Sequence, residues 1–387
     1  MRVLHVVPSF YPAYVYGGPI RSTFELCRNL VKLGCEVRVL TTDANGLTQT
    51  LNVEKGREIE VPEGFRVRYC PRRARHSVSP TLARLLPSYI RWADVVHLTG
   101  VYNFPTFPTI WRSRSFRKPL IWSPRGALQR WQGSSRIGAK KIWDYLWYHT
   151  ADRVDLTMHV TSEEECYETS ARFPKLRMAM IPNGVEVPAD LHRIEREREL
   201  RLLFIGRLDP KKGVESLLEA CSLVSAELPW HLAIAGWGSP DYVSQLKDRI
   251  RALGIEQRVE MMGEVLSEAK KRLFESSDVT LVPSHTENFA IVVAEALAHG
   301  VPVIASKGTP WSRLEDKKCG LWVDNDPKSL ADAIRRISAM PLQDMGSMGR
   351  EWMRKEFSWQ SVTEQMRDLY RRCSSHDHAN QKVLVHY

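Results

Sequence analysis

Long apolar runs are missing from this 387-residue chain. Nowhere do about 18 apolar residues follow one another, which by the usual length criterion excludes a transmembrane helix. The opening MRVLHVVPSFYP carries an apolar run too short for a secretory signal and reads instead as a first buried strand. Cysteine is sparse. Cys27, Cys35, Cys70, Cys166, Cys221, Cys319 and Cys373 are odd in number, scattered and free of any C-x-x-C pair, so neither a disulfide framework nor a zinc site is indicated and a reducing, cytoplasmic compartment is expected. Acidic residues are scarce in one stretch: between Phe65 and Thr150, sixteen Lys or Arg face only Asp94 and Asp144 in a chain of net charge +10. Aromatics such as Trp92, Tyr102, Trp111, Trp122, Trp131, Trp143 and Trp147 interleave with those cations. Such a face suits an anionic membrane surface or a phosphorylated ligand, although solvated helix faces over core tryptophans explain it too. No helix-turn-helix, zinc-finger or RNP-type signature accompanies it, so nucleic acid is not an expected partner.

What is present is a globular composition, 43% hydrophobic and 26% charged, with 22 Gly and 22 Pro spread along the chain. The length fits two domains. Short apolar runs alternate with helical patterns throughout, the signature of parallel-sheet α/β architecture. In the first half, strands are expected at Val3–Val7, Glu36–Thr41, Arg66–Tyr69, Val95–Leu98, Leu120–Trp122 and Met178–Ile181, with helices such as Ile20–Leu33 and Lys140–Thr150 between them. The pattern restarts after the charged segment Asp190–Glu199, with strands at Leu202–Ile205, Leu232–Ala235, Val259–Met262, Val279–Val282 and Val303–Ala305. Two doubly wound, Rossmann-like domains are therefore expected, residues 1–188 and 189–358, facing an interdomain cleft beyond the carboxyl ends of their strands. An amphipathic helix over 359–373 follows, then a flexible tail over 374–387.

Chemistry is expected in the strand-to-helix turns. The segment SHTENFAIVVAEALAHGVPVIAS, Ser284–Ser306, sets Glu287 in a turn and Glu295 in a helix with seven residues between them. Eight helical steps rise about 12 Å, so the two carboxylates span one elongated ligand such as a sugar diphosphonucleoside. The amides of Asn288, Phe289 and Ala290 would meet its oxygens at the helix start; a capping Glu and an ordinary surface Glu are the plainer alternative. FIGRLDPKKGVESLLEA, Phe204–Ala220, places Arg207 and Lys212 at a strand's carboxyl end, where a diphosphate would balance them and solvent would serve as well. IAGWGSPDY offers Gly236, a candidate donor-binding glycine, and Gly238, but lacks the third glycine of a dinucleotide fingerprint. Gly17 and Gly18, in SFYPAYVYGGPIRSTFEL, could bring backbone N–H groups up to a phosphate or could form a simple turn. The Asp324–Asn325–Asp326 run reads as a turn and not as a metal site.

Read in order, the glycine-bearing first loop, IPNGVE at Ile181–Glu186, GRLDPKKG, TENFAIVVAEALAHGVPVIAS and GLWVDNDPKSLADAI resemble the glycosyltransferase family 4 group of GT-B enzymes over nearly the whole chain. The resemblance implies a retaining transfer of sugar from a nucleotide-diphosphate donor held mainly by the second domain. It implies a glycan or lipid-linked acceptor in the first domain, in surface polysaccharide assembly, and a C-terminal helix crossing back onto that domain. Arg207 and Lys212 would bind the diphosphate, Glu295 the ribose and Glu287 the donor sugar, with Gly18 beneath the diphosphate and no metal or other cofactor required. One departure is Arg125, in WSPRGAL, where many members offer a histidine. As a candidate catalytic-site residue it could bind the donor sugar, the leaving phosphate or an anionic acceptor, and it stays protonated. His97, in DVVHLTG, has no assigned role. A nucleotide-sugar 2-epimerase of the same fold, or an inactive scaffolding subunit, are the alternatives.

Overall fold

The computed structural model describes residues 1–129, 155–192, 199–224, 228–375 and 384–385. The chain separates into two compact units, one formed by Met1–Gly184 with Trp359–Tyr387 and the other by Val185–Ser358. The change of unit falls at Gly184/Val185 and not at 188/189. Val185 already bridges to Ser358 and donates its amide to the Phe357 carbonyl at 2.7 Å, which ties it to the second unit.

In the first unit the strands are β1 (Arg2–Val6), β2 (Glu36–Thr42), the short hairpin β3 (Ala44–Asn45) and β4 (Gln49–Thr50), β5 (Ile59–Glu60), β6 (Arg66–Cys70), β7 (Val95–Thr99), β8 (Leu120–Ser123), β9 (Leu156–Val160) and β10 (Arg177–Met180). The large sheet runs Leu384–Val385, β10, β9, β8, β7, β1, β2, β6, β5 and is parallel except for β5 against β6. Pairing of Leu384–Val385 with β10 corrects the expectation of a free tail at those two residues. Strand β9 was not expected: Thr157 and His159 break its apolar run, yet all five of its residues are buried. The expected helix Lys140–Thr150 and Trp131, Trp143 and Trp147 lie outside the described residues.

Side chains alternate between the two faces of each strand. Val3, Val37 and Val39 join Leu26 and Leu30 of helix α1 (Gly18–Lys32) and Met366 and Leu369 of the C-terminal helix Trp359–Ser374 in one core. Leu4, Val6 and Leu40 pack on the other face with Leu82 and Leu86 of α2 (Pro80–Trp92) and Ile110 of α3 (Thr106–Ser115). Each fully buried Leu contributes on the order of 1.5–3 kcal/mol. Helix α2 starts where Ser79 accepts from the Leu82 amide and Pro80 fills a position that needs no N–H donor.

The second unit holds β11 (Leu200–Ile205), β12 (Trp230–Ala235), β13 (Val259–Gly263), β14 (Val279–Val282), β15 (Val303–Ser306) and β16 (Gly320–Val323) in the all-parallel order β13-β12-β11-β14-β15-β16. Leu202 and Leu203 again point into opposite cores. Strand β16 was not anticipated either; its four residues include Gly320 and follow the charged Asp316–Lys318 stretch, so no apolar run announces it. The chain leaves β11 on one side for β12 and β13, and returns on the other for β14, β15 and β16. The strand order therefore reverses between β11 and β14, and the loops that follow those two strands diverge around a crevice. In the first unit the corresponding reversal lies between β1 and β7.

Candidate functional site

The crevice of the second unit is built from two loops. After β11 the chain passes Arg207 and enters a short 3-10 turn, Pro210–Lys212, capped by the Asp209 carboxylate on the Lys211 amide at 3.1 Å. Gly213 ends the turn in the left-handed conformation, φ 65°, and an added Cβ would lie 2.2 Å from the Pro283 carbonyl oxygen. Only glycine lets the two loops approach this closely. After β14 the second loop is held on both sides: His285 donates its amide to the Lys211 carbonyl at 2.9 Å, and Glu287 donates its amide to Gly308 at 2.8 Å.

This arrangement joins residues 75 positions apart. The Lys212 ammonium makes an ion pair with Glu287 Oε1, which also accepts from the Ser284 hydroxyl at 2.8 Å. Both side chains are mostly buried, with 22% and 13% of their surface exposed. Arg207 differs: its guanidinium is half exposed and its contact to Asp209 is long, 3.9 Å. Burial pulls the Lys211 ammonium below its usual pKa, with Glu287 opposing the shift. Lys211, which the sequence reading passed over beside Lys212, thus brings a third cation to the crevice; the adjacent KK pair was the available signal.

Glu295 lies in the helix Ile291–Ala298, where its carboxylate pairs with Lys270 at 2.6 Å. Lys270 was also missed, since the Lys270–Lys271–Arg272 run reads as the charged face of an amphipathic helix. The helix begins only at Ile291 and Ala290 sits before it in the left-handed region, φ 56°, so the eight helical steps expected between Glu287 and Glu295 are a loop followed by about one turn. The Phe289 side chain is core: it packs on Trp311 and Phe357, and its carbonyl accepts from the Trp311 indole. Asn288 follows Glu287 in the same loop. Gly236 does not present its amide to a ligand, because that N–H donates to the Gly263 carbonyl at 2.7 Å. Its need for glycine comes from packing: φ is 152° and a Cβ would fall 1.7 Å from the Gly206 carbonyl oxygen. Of the acidic run, Asp326 caps the helix Pro327–Ser338 and Asp324 pairs with Lys307 at 2.8 Å, while Asn325 donates to His285 Nδ1 at 2.8 Å.

In the first unit, Gly17 and Gly18 sit where the loop after β1 enters α1. The Gly17 amide is spent on the Tyr14 carbonyl at 2.8 Å, which removes it as a ligand donor and leaves that role to Gly18 at the helix start. Arg125 follows β8 in a left-handed conformation, φ 54°, and its guanidinium bonds Asn183 of the IPNGVE segment. Burial pushes its pKa down, with Glu165 opposing. Asn183 is thus a positioning partner that sequence reading did not single out. His97 is structural: it is buried, its Nδ1 faces the Tyr370 hydroxyl at 2.5 Å, and its Nε2 faces Ser123 at 2.6 Å. Ser123 continues to His159 Nδ1 at 2.7 Å, and His159 Nε2 bonds the Ile181 carbonyl at 2.9 Å. This polar row pins the C-terminal helix to the sheet. Arg72 is structural as well, donating to the carbonyls of Gly46, Leu47 and Gln49.

Two family models match in succession: a glycosyl transferase 4-like domain over residues 17–184 and glycosyl transferases group 1 over residues 192–352. The chain belongs to this glycosyltransferase family. Among relatives, the GDP-mannose:cellobiosyl-diphosphopolyprenol alpha-mannosyltransferase of Xanthomonas oryzae is 25% identical over 96% of each chain. An uncharacterized glycosyltransferase of Methanocaldococcus jannaschii is 30% identical over 46% of each chain. Like it, several of the other relatives match over less than half of their own length, among them D-inositol 3-phosphate glycosyltransferases. Among solved structures, the sucrose-phosphate synthase of Thermosynechococcus elongatus aligns with a TM-score of 0.76 at 20% identity, over 97% of this chain and all of that one. HepE of Anabaena, in complex with UDP-glucose, aligns with a TM-score of 0.73 at 18% identity, over 96% and 99%. These likenesses establish the glycosyltransferase's fold as GT-B, two parallel-sheet Rossmann-like domains. No helix among the described residues is long and apolar enough to cross a membrane.

Proposed function

We propose that this glycosyltransferase moves a sugar from a nucleotide-diphosphate donor to a carbohydrate-bearing acceptor with net retention at the anomeric carbon, without a metal ion. The observation that carries the reading is the gathering of Arg207, Lys211 and Lys212 beside Glu287 at the strand-order reversal of the second unit. Open parallel sheets bind ligands at such a reversal. Cations concentrated there match a diphosphate, which is the leaving group of a nucleotide-sugar donor. The name of the HepE complex, which contains UDP-glucose, supports the same donor class.

In this reading the bond between the anomeric carbon and the β-phosphate oxygen breaks, and its electron pair leaves with the nucleoside diphosphate. Arg207, Lys211 and Lys212 offset the charge that builds on that oxygen, most strongly in the transition state. The acceptor hydroxyl forms the new bond to the same carbon and gives up its proton to the departing phosphate or to solvent. Glu287, steadied by Lys212 and Ser284, accepts hydrogen bonds from the donor sugar, and Glu295 accepts them from ribose. The amides that follow Glu287 provide further donors. The reaction belongs to surface polysaccharide assembly in this reading, at the cytoplasmic face of a membrane; the alpha-mannosyltransferase relative, whose name gives a cellobiosyl-diphosphopolyprenol acceptor, supports a lipid-linked acceptor.

The test is a screen of UDP-, GDP- and ADP-sugars by thermal shift, followed by turnover with the stabilising donor in EDTA. A donor at a hundredfold excess over its Kd stabilises the fold by about 2.7 kcal/mol. Full activity in EDTA and a product whose anomeric proton keeps the donor's configuration by NMR are expected. A strict demand for magnesium or manganese, or an inverted product, overturns the corresponding part of the reading.

A further inference from the structure

The first unit contains a cavity of about 1310 Å³ at its own strand-order reversal, where the loops after β1 and β7 diverge. Ser9, Thr99 and Arg125 line it at the strand ends, and among the described residues no Asp or Glu lines it. Its cations are not equivalent. Arg72 is spent on the hairpin carbonyls, and Arg75 and His76 are exposed. Arg125 lies deeper, following the buried Ser123 and Pro124, and its Nε is buried with no hydrogen-bond partner. The hydroxyl of Thr99, which pairs with Ser123 across β7 and β8, is buried and unpartnered as well. Buried polar atoms are almost always satisfied, so two orphaned donors at one end of a cavity call for a ligand that accepts from both.

The charge of Arg125 is only partly offset. Its hydrogen bond goes to the Asn183 side chain, which is neutral. The Glu165 carboxylate supports the cation through its field but is engaged elsewhere: Oε1 accepts from the Gly126 amide at 2.6 Å, and Oε2 from the amide and hydroxyl of Thr161, both at 2.8 Å. Burial lowers the Arg125 pKa, and the penalty that this reflects falls when an anion arrives.

The guanidinium is also built into position. Arg125 is left-handed, φ 54°, a conformation that persists only where the surroundings impose it. The Ile181 carbonyl can only accept, so His159 Nε2 carries the ring proton and His159 Nδ1 accepts from the Ser123 hydroxyl. Ser123 in turn accepts from His97 Nε2, and His97 Nδ1 accepts from the Tyr370 hydroxyl. Burial keeps both rings neutral, as this single direction of donation requires. The row reaches the chain two residues before each member of the Arg125–Asn183 pair, at Ser123 and at Ile181, while Glu165 holds the Gly126 amide. Precise recognition needs such a supporting layer behind the contact.

We infer that Arg125 is a specificity-determining residue that reads the carboxylate of a sugar acid, so that one of the two sugars this enzyme joins is a hexuronate. One guanidinium balances one negative charge, and its planar fork matches a planar carboxylate. A phosphate monoester carries about 1.5–2 negative charges at neutral pH and would leave an excess at the same spot. A neutral sugar would satisfy the two donors and leave the cation uncompensated. Ser123, His97 and His159 are positioning residues behind Arg125. The inference rests on the transferase reading, which supplies the sugars.

The experiment uses the full chain and follows binding by calorimetry and ligand-observed NMR. One arm compares the methyl glycosides of D-glucuronate, D-galacturonate and D-mannuronate with their neutral hexose counterparts. The other compares UDP-glucuronate with UDP-glucose and GDP-mannuronate with GDP-mannose. In at least one arm a uronate is expected to bind about tenfold or more tightly than its neutral counterpart, and that arm tells whether acceptor or donor carries the carboxylate. Arg125→Gln should abolish the preference and Ser123→Ala should reduce it, whereas Arg75→Ala, at an exposed position, should keep it. A cooperative thermal transition reports that each variant folds. No preference in either arm, a preference that survives Arg125→Gln, or one lost equally in Arg75→Ala overturns the inference. Tighter binding of glucose 6-phosphate than of any uronate, lost in Arg125→Gln, overturns it too and makes phosphate the ligand. Full preference in Ser123→Ala removes the positioning row. If UDP and GDP fail to bind while the glycosides keep their preference, the carboxylate site stands and the donor reading falls.

Discussion

Lys212 and Glu287 serve two purposes that mutation can separate. As a pair they join the loops after β11 and β14, and in the proposed reaction they touch the donor. Lys212→Ala leaves the Glu287 carboxylate, 13% exposed, with the Ser284 hydroxyl as a hydrogen-bond partner and the Lys211 ammonium as a nearby opposite charge. Losing a charged hydrogen bond at such a site costs about 1.5–3 kcal/mol, less than the 3–5 kcal/mol of a fully buried pair because both side chains keep some contact with solvent. Glu287→Ala should cost a similar amount by stranding the ammonium. The double variant strands neither charge, so it should recover most of the stability, with a coupling energy of about 2 kcal/mol in the cycle. Turnover should behave differently. Each single variant should lose on the order of 10²–10³ in kcat, the size of one removed transition-state contact, and the double variant should not regain it. Urea unfolding followed by tryptophan fluorescence reads the first quantity, and nucleotide release with the stabilising donor reads the second. A double variant that recovers turnover together with stability would show the pair to be a loop clasp alone and would remove both residues from the chemistry.

Acid should weaken the first unit. Burial lowers the His5 and His159 pKa values to about 3 and also lowers that of His97, so their neutral forms stabilise the fold fully above the unfolded value near 6.5. That stability is lost as pH falls from about 6.5 toward 3, by up to about 1.4 kcal/mol per pH unit for each histidine. His5, whose ring nitrogens have no hydrogen-bond partner, is the site to test: His5→Leu should make the pH dependence of urea unfolding shallower by one proton, and an unchanged slope would contradict its neutral burial. Gly236→Ala should destabilise the second unit by about 3 kcal/mol or more, since a Cβ would collide with the Gly206 backbone where no side chain can yield. A thermal midpoint close to that of the parent protein would refute the packing argument.

The alternation of strand and helix was legible in the sequence because burial on both faces of a parallel sheet writes itself as short apolar runs, as in Val95–Leu98 and Val279–Val282. Where polar residues enter a buried strand the signal disappears: β9 carries Thr157 and His159, and only its neighbours β8 and β10 make it a strand. Cations and carboxylates at strand ends were visible as residue types, yet their partners were not. Sequence set Arg72 among the surface charges, while folding uses its guanidinium to clasp a hairpin 23 to 26 positions away. Gly17 and Gly236 read as ligand-facing glycines, yet the Gly17 amide is used in a local turn, on the Tyr14 carbonyl three residues back, and the Gly236 amide in a tertiary bond to Gly263. Local pattern determines which segments become strands, helices and turns, because it depends on side-chain period and backbone preference over a few residues. Which turns meet is decided by the crossover connections of the sheet, and those bring Lys212 to Glu287 and His97 to Tyr370, 273 positions apart, through contacts that no local window contains.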